Sequence, residues 1–360
     1  MTRSDRSATS QPADPVPGPG IVPAFTNPRT GRPALRTVSV VGLGSYVPPQ
    51  ILTNADLARM VDTSDDWITS RTGIRERRLA SPNEATSDLA CEAARRALSS
   101  AGLRPQDVDL IIVATITPDM PFPSTACLVQ EKLGANRAAA FDVQAACSGY
   151  VYALDIASHF ISSHTYETVL IIGAEKMSAF IDWTDRNTCV LFGDGAGAAV
   201  LQHRPHSHGL ITTCLGANGG DARLLELPAG GSARPASPDT LSQRLHFLRM
   251  DGKETFRKAV TAMVSAGQEA LARAHLTIAD IRCIIPHQAN HRIMSAVAER
   301  LGATPEQVFT NVERYGNTSA ASVGIGLDEA VREGRIQTGD YVLLVVFGAG
   351  LTWGSALIHW

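Results

Sequence analysis

The sequence predicts a layered α/β fold built from two similar halves. Helical and strand-like segments alternate along the chain from about residue 37, which is typical of α/β proteins. An internal repeat is also visible, because residues 97–112 and 270–285 are identical at seven of sixteen positions. Two shorter matches follow in the same order, residues 131–135 with 299–303 and residues 192–197 with 347–350. Three matches in one order indicate two copies of one unit.

The individual elements follow from local patterns along the chain. Residues 37–41 are rich in β-branched side chains and run into a loop of Gly and Pro, which predicts the first strand. Later segments show helical apolar spacing or short apolar runs. The predicted helices are residues 86–101, 124–133, 147–162, 252–274, 290–301 and 319–333. The predicted strands are residues 110–115, 139–143, 168–174, 196–202, 283–286 and 341–347.

Composition narrows the class of protein. The chain has 360 residues and is 44% hydrophobic, enough for a large core in one two-part domain or in two tightly fused ones. A formal net charge of −3 predicts no nucleic-acid binding. No apolar run approaches the ~18–20 residues of a membrane span, so no membrane association is expected. The six cysteines form no C-x-x-C pair, which signals neither a metal site nor a disulfide scaffold. Without a signal-peptide pattern, we expect a cytoplasmic protein.

The chain divides into a tail and two halves. Residues 1–36 hold seven of the twenty prolines and predict a disordered N-terminal tail. The repeat places an N-terminal half at residues 37–208 and a C-terminal half at residues 209–360. The first half carries a candidate catalytic cysteine, and the second carries a candidate histidine and asparagine.

Cys147 is the candidate nucleophile. Residues 140–152 predict a buried strand, a turn of small residues and the start of a helix, with Cys147 at the corner. A thiolate at a helix N-terminus is stabilised by the helix dipole and the free N–H groups, so we expect a lowered pKa. The alternative is a buried structural cysteine, which is the commoner role of a lone cysteine on an apolar strand.

The repeat connects Cys147 to two other residues. Cys147 and Asn317 follow the matched segments 131–135 and 299–303 at nearly equal distances, so they occupy equivalent corners. His287 follows the strand predicted at 283–286. If the halves pack about a pseudo-twofold axis, these strand-end loops converge, and the three residues form a candidate catalytic set. Taken singly, His287 could be a hydrogen-bonded loop residue and Asn317 a turn or helix cap.

Six motifs in order carry a resemblance to a known family. They are residues 65–77 (Asp-Asp-Trp-Ile-Thr-Ser-Arg-Thr-Gly-Ile-Arg-Glu-Arg), 145–149 (Ala-Ala-Cys-Ser-Gly), 192–199 (Phe-Gly-Asp-Gly-Ala-Gly-Ala-Ala), 286–290 (Pro-His-Gln-Ala-Asn), 316–322 (Gly-Asn-Thr-Ser-Ala-Ala-Ser) and 347–354 (Phe-Gly-Ala-Gly-Leu-Thr-Trp-Gly). From about residue 37 onward, the chain resembles the β-ketoacyl-acyl carrier protein synthases III, which initiate bacterial fatty-acid synthesis. The resemblance implies a thiolase fold of two βαβαβαββ halves in five layers (αβαβα), usually as a homodimer.

The resemblance also implies a mechanism and its residues. The family's catalytic Cys, His and Asn fall on Cys147, His287 and Asn317. Cys147 would take a short acyl group from acyl-coenzyme A, and malonyl-acyl carrier protein would then lose CO2 and condense with it. The backbone N–H groups of Cys147 and Ala349 would form the oxyanion hole, while residues 348–350 could otherwise be a simple tight turn. Acyl-coenzyme A is then a substrate, and no permanently bound cofactor or metal is implied.

Several substrate-contacting residues carry over from the family. Trp67 and Arg186 match positions that sandwich the adenine of coenzyme A, and Arg71 matches a basic position near the nucleotide. Gly252 and Asn290 match positions along the pantetheine tunnel. Without the resemblance, Trp67 would be an ordinary surface aromatic and Arg186 a plain surface charge.

The acyl pocket and the carrier-protein surface are implied in the same way. Phe122 matches a residue that reaches across the dimer to cap the partner's acyl pocket, and Phe192 is assigned to that pocket as well. A large ring at position 122 suggests a short primer such as acetyl. Three arginines with Lys258 resemble the patch that docks the acidic carrier protein: Arg257, Arg292 and Arg300. A solvated charged face is the simpler interpretation of this patch.

Three alternatives were weighed against this interpretation. A papain-like protease has the same order of Cys, His and Asn, but it lacks an internal repeat and usually carries disulfides. A non-catalytic partner subunit of the same fold typically loses the nucleophile, which is intact here. A specialised priming or condensing enzyme of polyketide or other secondary metabolism stays open.

Overall fold

Two β-sheets lie at the centre of the fold, and the computed structural model describes residues 36–205 and 208–360. The predicted disordered tail, residues 1–36, lies outside the described residues except for Arg36. From Arg36 to Trp360 the chain forms one compact unit. Within the described ranges, no helix combines the length and apolarity needed to cross a bilayer.

The elements alternate along the chain as the sequence predicts. The strands are β1 Val38–Tyr46, β2 Gln50–Thr53, β3 Glu76–Leu79, β4 Leu110–Ala114, β5 Ala139–Val143, β6 Thr168–Glu175, β7 Gly195–His203, β8 Leu210–Ala217, β9 Leu225–Glu226, β10 Arg249–Met250, β11 Ile281–Pro286, β12 Tyr341–Gly348 and β13 Thr352–His359. The helices are α1 Asn54–Leu57, α2 Asp65–Thr72, α3 Thr86–Ala101, α4 Thr125–Leu133, α5 Gly149–Ser162, α6 Arg186–Cys189, α7 Pro238–Ser242, α8 Gly252–Arg273, α9 His291–Leu301, α10 Val312–Tyr315 and α11 Ala321–Arg332.

The two main sheets repeat one topology. The first has the order β1-β7-β6-β4-β5, and the second has the order β8-β13-β12-β11. In each sheet the first three strands are antiparallel neighbours and the next pair is parallel. A parallel bridge between Ile284 and Val308 continues the second sheet where β5 continues the first. The duplication seen in the sequence is therefore visible as two copies of one sheet.

Helices form three layers around these sheets. Leu154 of α5 and Leu327 of α11 belong to a core cluster that also holds side chains from both sheets, so these helices form the middle layer. The outer face of the first sheet is covered by α3 and α4, and that of the second sheet by α8 and α9. The architecture is therefore αβαβα, the five-layered thiolase fold. Strands buried on both faces, such as β4, consist of continuous apolar runs for this reason.

Close backbone approach brings the middle layer against the first sheet. A Cβ on Gly173 of β6 would lie 2.2 Å from the carbonyl oxygen of Ala320, just before α11. Only glycine allows this contact. The contact fixes the loop that carries Asn317 over the end of β6.

Most predicted elements agree with the structure to within two residues at each end. One difference bears on function: the helix predicted at residues 147–162 begins at Gly149, and residues 146–148 form a single 3-10 turn before it. The antiparallel pair β2 and β3, together with β8 and β13, are further elements that the sequence did not indicate. Their sequences mix polar, charged and small residues with apolar ones, so they lack a clear strand signal.

Candidate active site

Cys147 lies in a tight turn between β5 and α5. Ala146 before it has a left-handed backbone, with φ of 47°. A Cβ on Gly348 would lie 2.6 Å from the backbone nitrogen of Cys147 and 3.0 Å from that of Ser148. The end of β12 therefore packs directly on the Cys147 backbone, and this position tolerates only glycine. Cys147 is buried, with 6% of its surface exposed.

The three predicted catalytic side chains meet at one cavity. Cys147, His287 and Asn317 all line a cavity of about 410 Å³. His287 follows β11 directly, and its backbone N–H donates to the carbonyl oxygen of Val345 at 2.8 Å. Asn317 forms a parallel bridge with Phe192, which ties the loop before α11 to the first half. Both halves thus contribute to one site, as the repeat predicted.

Neighbouring hydrogen bonds determine which atoms of His287 can face a ligand. Its Nδ1 lies 2.7 Å from the Ser322 hydroxyl oxygen, which also accepts the Gln288 N–H at 3.5 Å. When the Ser322 hydroxyl donates its proton to Nδ1, the neutral imidazole carries its hydrogen on Nε2. Burial lowers the pKa of His287 to about 3, so the ring is neutral near pH 7. A neutral ring with Nε2–H is a hydrogen-bond donor.

Asn317 is oriented in a comparable way. Its Oδ1 accepts the Ser319 N–H at 2.9 Å. Its own backbone N–H donates to Leu191, and its carbonyl oxygen accepts from Gly193. Because Oδ1 is occupied, the Nδ2 amino group is the part of the amide that can donate to a ligand.

The Cys147 thiol differs from the sequence-based expectation. Burial, partly opposed by the Ser319 hydroxyl and reinforced by the Glu175 carboxylate, raises the pKa of Cys147 to about 12. The expected decrease assumed an accessible thiol at a helix end. The structure instead encloses Cys147 in the turn before α5, near a carboxylate. Near pH 7, Cys147 is therefore a neutral thiol that shares a cavity with a neutral imidazole.

A second and larger cavity opens on the other side of Cys147. It measures about 840 Å³, and its lining includes Cys147, Met177, Phe192 and Ala349. Cys147 and Phe192 border both cavities. The Thr352 hydroxyl bonds the carbonyl oxygens of Ala145 at 2.8 Å and Ala349 at 3.0 Å, which joins the Ala349 turn to the nucleophile turn. Ala349 is not among the described residues with a positive φ, so alanine fits there without strain. Cys147, the candidate nucleophile, thus lies between two cavities.

The predicted coenzyme A residues lie along the first cavity and at its approach. Arg71, Gly252 and Asn290 line that cavity. Asn290 also caps α9, because its side chain accepts the Ile293 N–H at 3.0 Å. At Gly252 a Cβ would meet only the Met250 side chain at 3.8 Å, so packing within the chain does not demand glycine there.

Two guanidinium groups lie over the Trp67 ring. The Arg71 and Arg186 guanidinium carbons lie 4.5 and 4.9 Å from the ring centroid. A flat base between Trp67 and Arg186 needs two contact distances, about 7 Å in all. In this arrangement an adenine cannot enter until Arg186 moves.

The remaining predicted residues are at the surface. Phe122 is 84% exposed in the loop between β4 and α4 and borders neither cavity in this single chain. Arg257, Arg292 and Arg300 are exposed on α8 and α9, and only Arg292 also lines the first cavity. Arg257 pairs with Glu254 at 2.8 Å, and Lys258 with Asp221 at 2.6 Å.

Sequence reasoning missed three polar residues behind the site. Ser319 and Ser322 stand in the motif at 316–322 but received no role, although each bonds a predicted catalytic side chain. Glu175, a fully buried carboxylate at the end of β6, was also missed. A charged residue directly after the apolar run 168–174 was the available signal.

Comparisons with known proteins point to one family. A family model described as 3-oxoacyl-[acyl-carrier-protein (ACP)] synthase III matches residues 141–219, and its C-terminal counterpart matches residues 271–360. A β-ketoacyl-[acyl-carrier-protein] synthase III of Caldanaerobacter subterraneus subsp. tengcongensis is 57% identical, covering 89% of this chain and 97% of its own.

Solved structures show the same likeness. The 3-oxoacyl-[acyl-carrier-protein] synthase III of Aquifex aeolicus VF5 is 47% identical with a TM-score of 0.84, covering 90% of this chain and 100% of its own. The priming β-ketosynthase of the R1128 polyketide biosynthetic pathway is 37% identical with a TM-score of 0.84, covering 94% of this chain and 98% of its own. Of these three proteins, the polyketide enzyme has the lowest sequence identity to this chain.

Proposed function

Because the chain belongs to the β-ketoacyl-[acyl-carrier-protein] synthase III family, we propose that Cys147, His287 and Asn317 carry out its two half-reactions. The protein is the initiating condensing enzyme of type II fatty-acid synthesis. It joins an acyl group from acyl-coenzyme A to a two-carbon unit from malonyl-acyl carrier protein. The observation that carries the proposal is the meeting of these three side chains at one cavity, with Cys147 between two chambers.

In the first half-reaction Cys147 becomes acylated. Its Sγ attacks the thioester carbonyl carbon, the bond from that carbon to the coenzyme A sulfur breaks, and one proton passes in net from the Cys147 thiol to the departing thiolate. Since burial raises the pKa of the Cys147 thiol to about 12, proton loss accompanies attack. The backbone N–H groups of Cys147 and Ala349 would hold the oxyanion, a kind of donor whose removal costs about 3 kcal/mol.

In the second half-reaction malonyl-acyl carrier protein loses CO2, and negative charge develops on its thioester oxygen. His287 Nε2–H and Asn317 Nδ2–H are the donors available to that oxygen, and His287 can donate while neutral. The resulting carbanion attacks the acyl-cysteine carbonyl, and a carbon–carbon bond forms. The bond to Cys147 Sγ breaks, and the released thiolate takes a proton from water. The product is a 3-oxoacyl-acyl carrier protein.

The two cavities suggest where each substrate part binds. We assign the pantetheine arm to the cavity lined by Gly252 and Asn290, and the acyl chain to the larger cavity with Phe192. Arg186 and Trp67 would hold the adenine after Arg186 moves. Arg292, at the cavity, and Arg257 and Arg300 on the same surface would dock the acidic carrier protein. No permanently bound cofactor or metal enters this scheme.

A homodimer fits the exposure of Phe122. Phe122 is 84% exposed on its loop, which leaves the ring available to a partner subunit. We propose that it enters the acyl cavity of a partner subunit and shortens it, which favours a short primer such as acetyl. A location in the cytoplasm is proposed on the grounds that its substrates are intracellular thioesters.

Intact-protein mass spectrometry tests this function. The protein is mixed separately with acetyl-, longer and branched acyl-coenzyme A, and C147A is the control. We expect an acyl adduct on the wild type alone, followed by its loss and formation of 3-oxoacyl product when malonyl-acyl carrier protein is added. Absence of an adduct with every primer would refute the initiating role.

A further inference from the structure

Glu175 is a buried carboxylate that the mechanism above does not use. It ends β6 and is fully buried. Four donors meet its Oε2, namely the hydroxyls of Thr115 at 3.0 Å and Thr117 at 2.7 Å and the N–H groups of Ile116 and Thr117, both at 3.1 Å. A fifth donor, the Ser319 hydroxyl, bonds Oε1 at 2.9 Å. Such a set of bonds holds a buried carboxylate rigidly in place.

Ser319 connects this carboxylate to Asn317. It is fully buried, and its backbone is left-handed, with φ of 49°. For a residue with a side chain this conformation costs about 1–2 kcal/mol, so it persists only where neighbouring bonds hold it. Two bonds do so here: the hydroxyl donates to Glu175, and the N–H donates to Asn317 Oδ1 at 2.9 Å. Glu175 comes from the first half of the chain, and Ser319 and Asn317 come from the second.

We propose that Glu175 is a positioning residue for decarboxylation, acting through Ser319 to hold the Asn317 amide with Nδ2 toward the malonyl thioester. The inference rests on the proposed catalytic role of Asn317. If the Ser319 backbone leaves its left-handed conformation, its N–H turns away from Asn317 Oδ1. The Asn317 side chain then loses the hydrogen bond that keeps Oδ1 on one side and Nδ2 on the other. The donor in the second half-reaction is then misplaced.

The proposal has a selective consequence. Attack by Cys147 on acyl-coenzyme A does not require the Asn317 donor, whereas stabilising the malonyl oxygen does. A change in Glu175 or Ser319 should therefore slow decarboxylation far more than acyl transfer, which these two residues affect only modestly through the pKa of the Cys147 thiol. The loss should appear in kcat for malonyl-acyl carrier protein with little change in KM, because the donor acts chiefly as charge develops.

The two substitutions act on the link in different ways. S319A removes the hydroxyl and leaves the carboxylate with its other four donors. E175Q keeps the volume, and its carbonyl oxygen is expected to take the Oε2 side where those donors converge. The amide NH2 then faces Ser319, whose hydroxyl must accept instead of donate.

T115V is the matched control. It removes one hydroxyl from the same carboxylate, at Oε2 and away from Ser319, with a side chain of nearly the same shape. N317A is the reference for complete loss of the amide.

Acyl transfer is measured as adduct formation on Cys147 from acetyl-coenzyme A. Decarboxylation is measured as CO2 release when the isolated acyl-protein is mixed with malonyl-acyl carrier protein.

We expect S319A to lower decarboxylation by about 10- to 100-fold, as a misplaced group does, with acyl transfer within about threefold of the wild type. E175Q should show a smaller loss in the same half-reaction, and T115V should leave the ratio of the two rates unchanged. A wild-type decarboxylation rate in S319A, equal losses in both half-reactions of S319A and E175Q, or a selective loss in T115V would overturn the proposal. If N317A itself decarboxylates normally, the proposed role of Asn317 fails instead.

Discussion

The guanidinium carbon of Arg186 lies 4.9 Å from the centroid of the Trp67 ring, in the space where an adenine would stack. Arg186 also donates to the backbone oxygen of Asp62 at 2.8 Å, so it is held in this closed position. If Trp67 and Arg186 hold the adenine as proposed, coenzyme A must break this contact and replace it with stacking on the base.

Arg186 substitutions should weaken the first half-reaction. In R186A the base loses one stacking surface, and a cation–π contact of about 1 kcal/mol corresponds to roughly a fivefold rise in KM for acyl-coenzyme A. R186K keeps the charge and loses the planar surface, so it should behave like R186A. KM for malonyl-acyl carrier protein should not change. Full retention of affinity in R186K would indicate that charge alone matters.

Local patterns predicted the parts of this fold that depend on neighbours in the chain. Helix α3 was predicted at its observed bounds from helical apolar spacing, and in the structure Gly102 ends it as a left-handed cap. The trio at Cys147, His287 and Asn317 could be proposed because the repeat indicated equivalent strand ends. These features need no knowledge of distant contacts.

Features set by distant contacts were not predictable in this way. The neutral state of Cys147 depends on enclosure by the Gly348 turn, about two hundred residues away in the sequence. The link from Glu175 to Ser319 joins residues 144 positions apart. The contact of Arg186 with Trp67 likewise depends on tertiary packing. Each is a property of the assembled halves, which periodicity does not report.

Gly348 should be intolerant of any side chain. G348A would place a Cβ 2.6 Å from the Cys147 nitrogen, so the turn or the nucleophile must shift. We expect acyl transfer to fall by about 100-fold or more, since one of the displaced N–H groups is the proposed oxyanion donor. The matched control is G219A, where no heavy atom lies within 4 Å of the new Cβ and acyl transfer should be unchanged. Equal rates in both variants would contradict the assignment of the oxyanion hole.

His287 should make the fold less stable in acid. Burial lowers its pKa from 6.5 to about 3, so between these pH values the unfolded state binds a proton that the folded state does not. The free energy of unfolding therefore decreases as pH falls below about 6.5, by at most about 1.4 kcal/mol per pH unit from this group. Urea unfolding of the wild type and H287Q at pH 7 and pH 5 measures the difference.

Comparing the wild type with H287Q separates the effect of His287 on stability from the effects of the many carboxylates that also titrate. H287Q lacks the titrating ring, so its loss of stability between pH 7 and pH 5 should be smaller than that of the wild type by about 1–2 kcal/mol. An identical loss in both proteins would mean that His287 is not held neutral by the fold.

The Cys147 thiol should react slowly with alkylating reagents in the absence of substrate. With its pKa raised to about 12 by burial, the thiolate is rare at neutral pH, and only the thiolate reacts. The alkylation rate, followed by mass mapping of the Cys147 peptide, should rise about tenfold per pH unit from pH 7 to pH 9 without reaching a plateau. The exposed Cys127 in the same sample provides an internal reference for the concentration and reactivity of the reagent.

The same experiment distinguishes the structure from the sequence-based expectation for this thiol. A plateau of the Cys147 rate below pH 8 would require a lowered pKa, as a helix N-terminus alone would produce. Such a plateau would mean that α5 and its free N–H groups outweigh both burial and the Glu175 carboxylate. E175Q removes that carboxylate charge, so it should raise the Cys147 rate at a fixed pH while leaving the Cys127 rate unchanged. If E175Q instead leaves the Cys147 rate unchanged, burial alone sets the neutral state of the nucleophile.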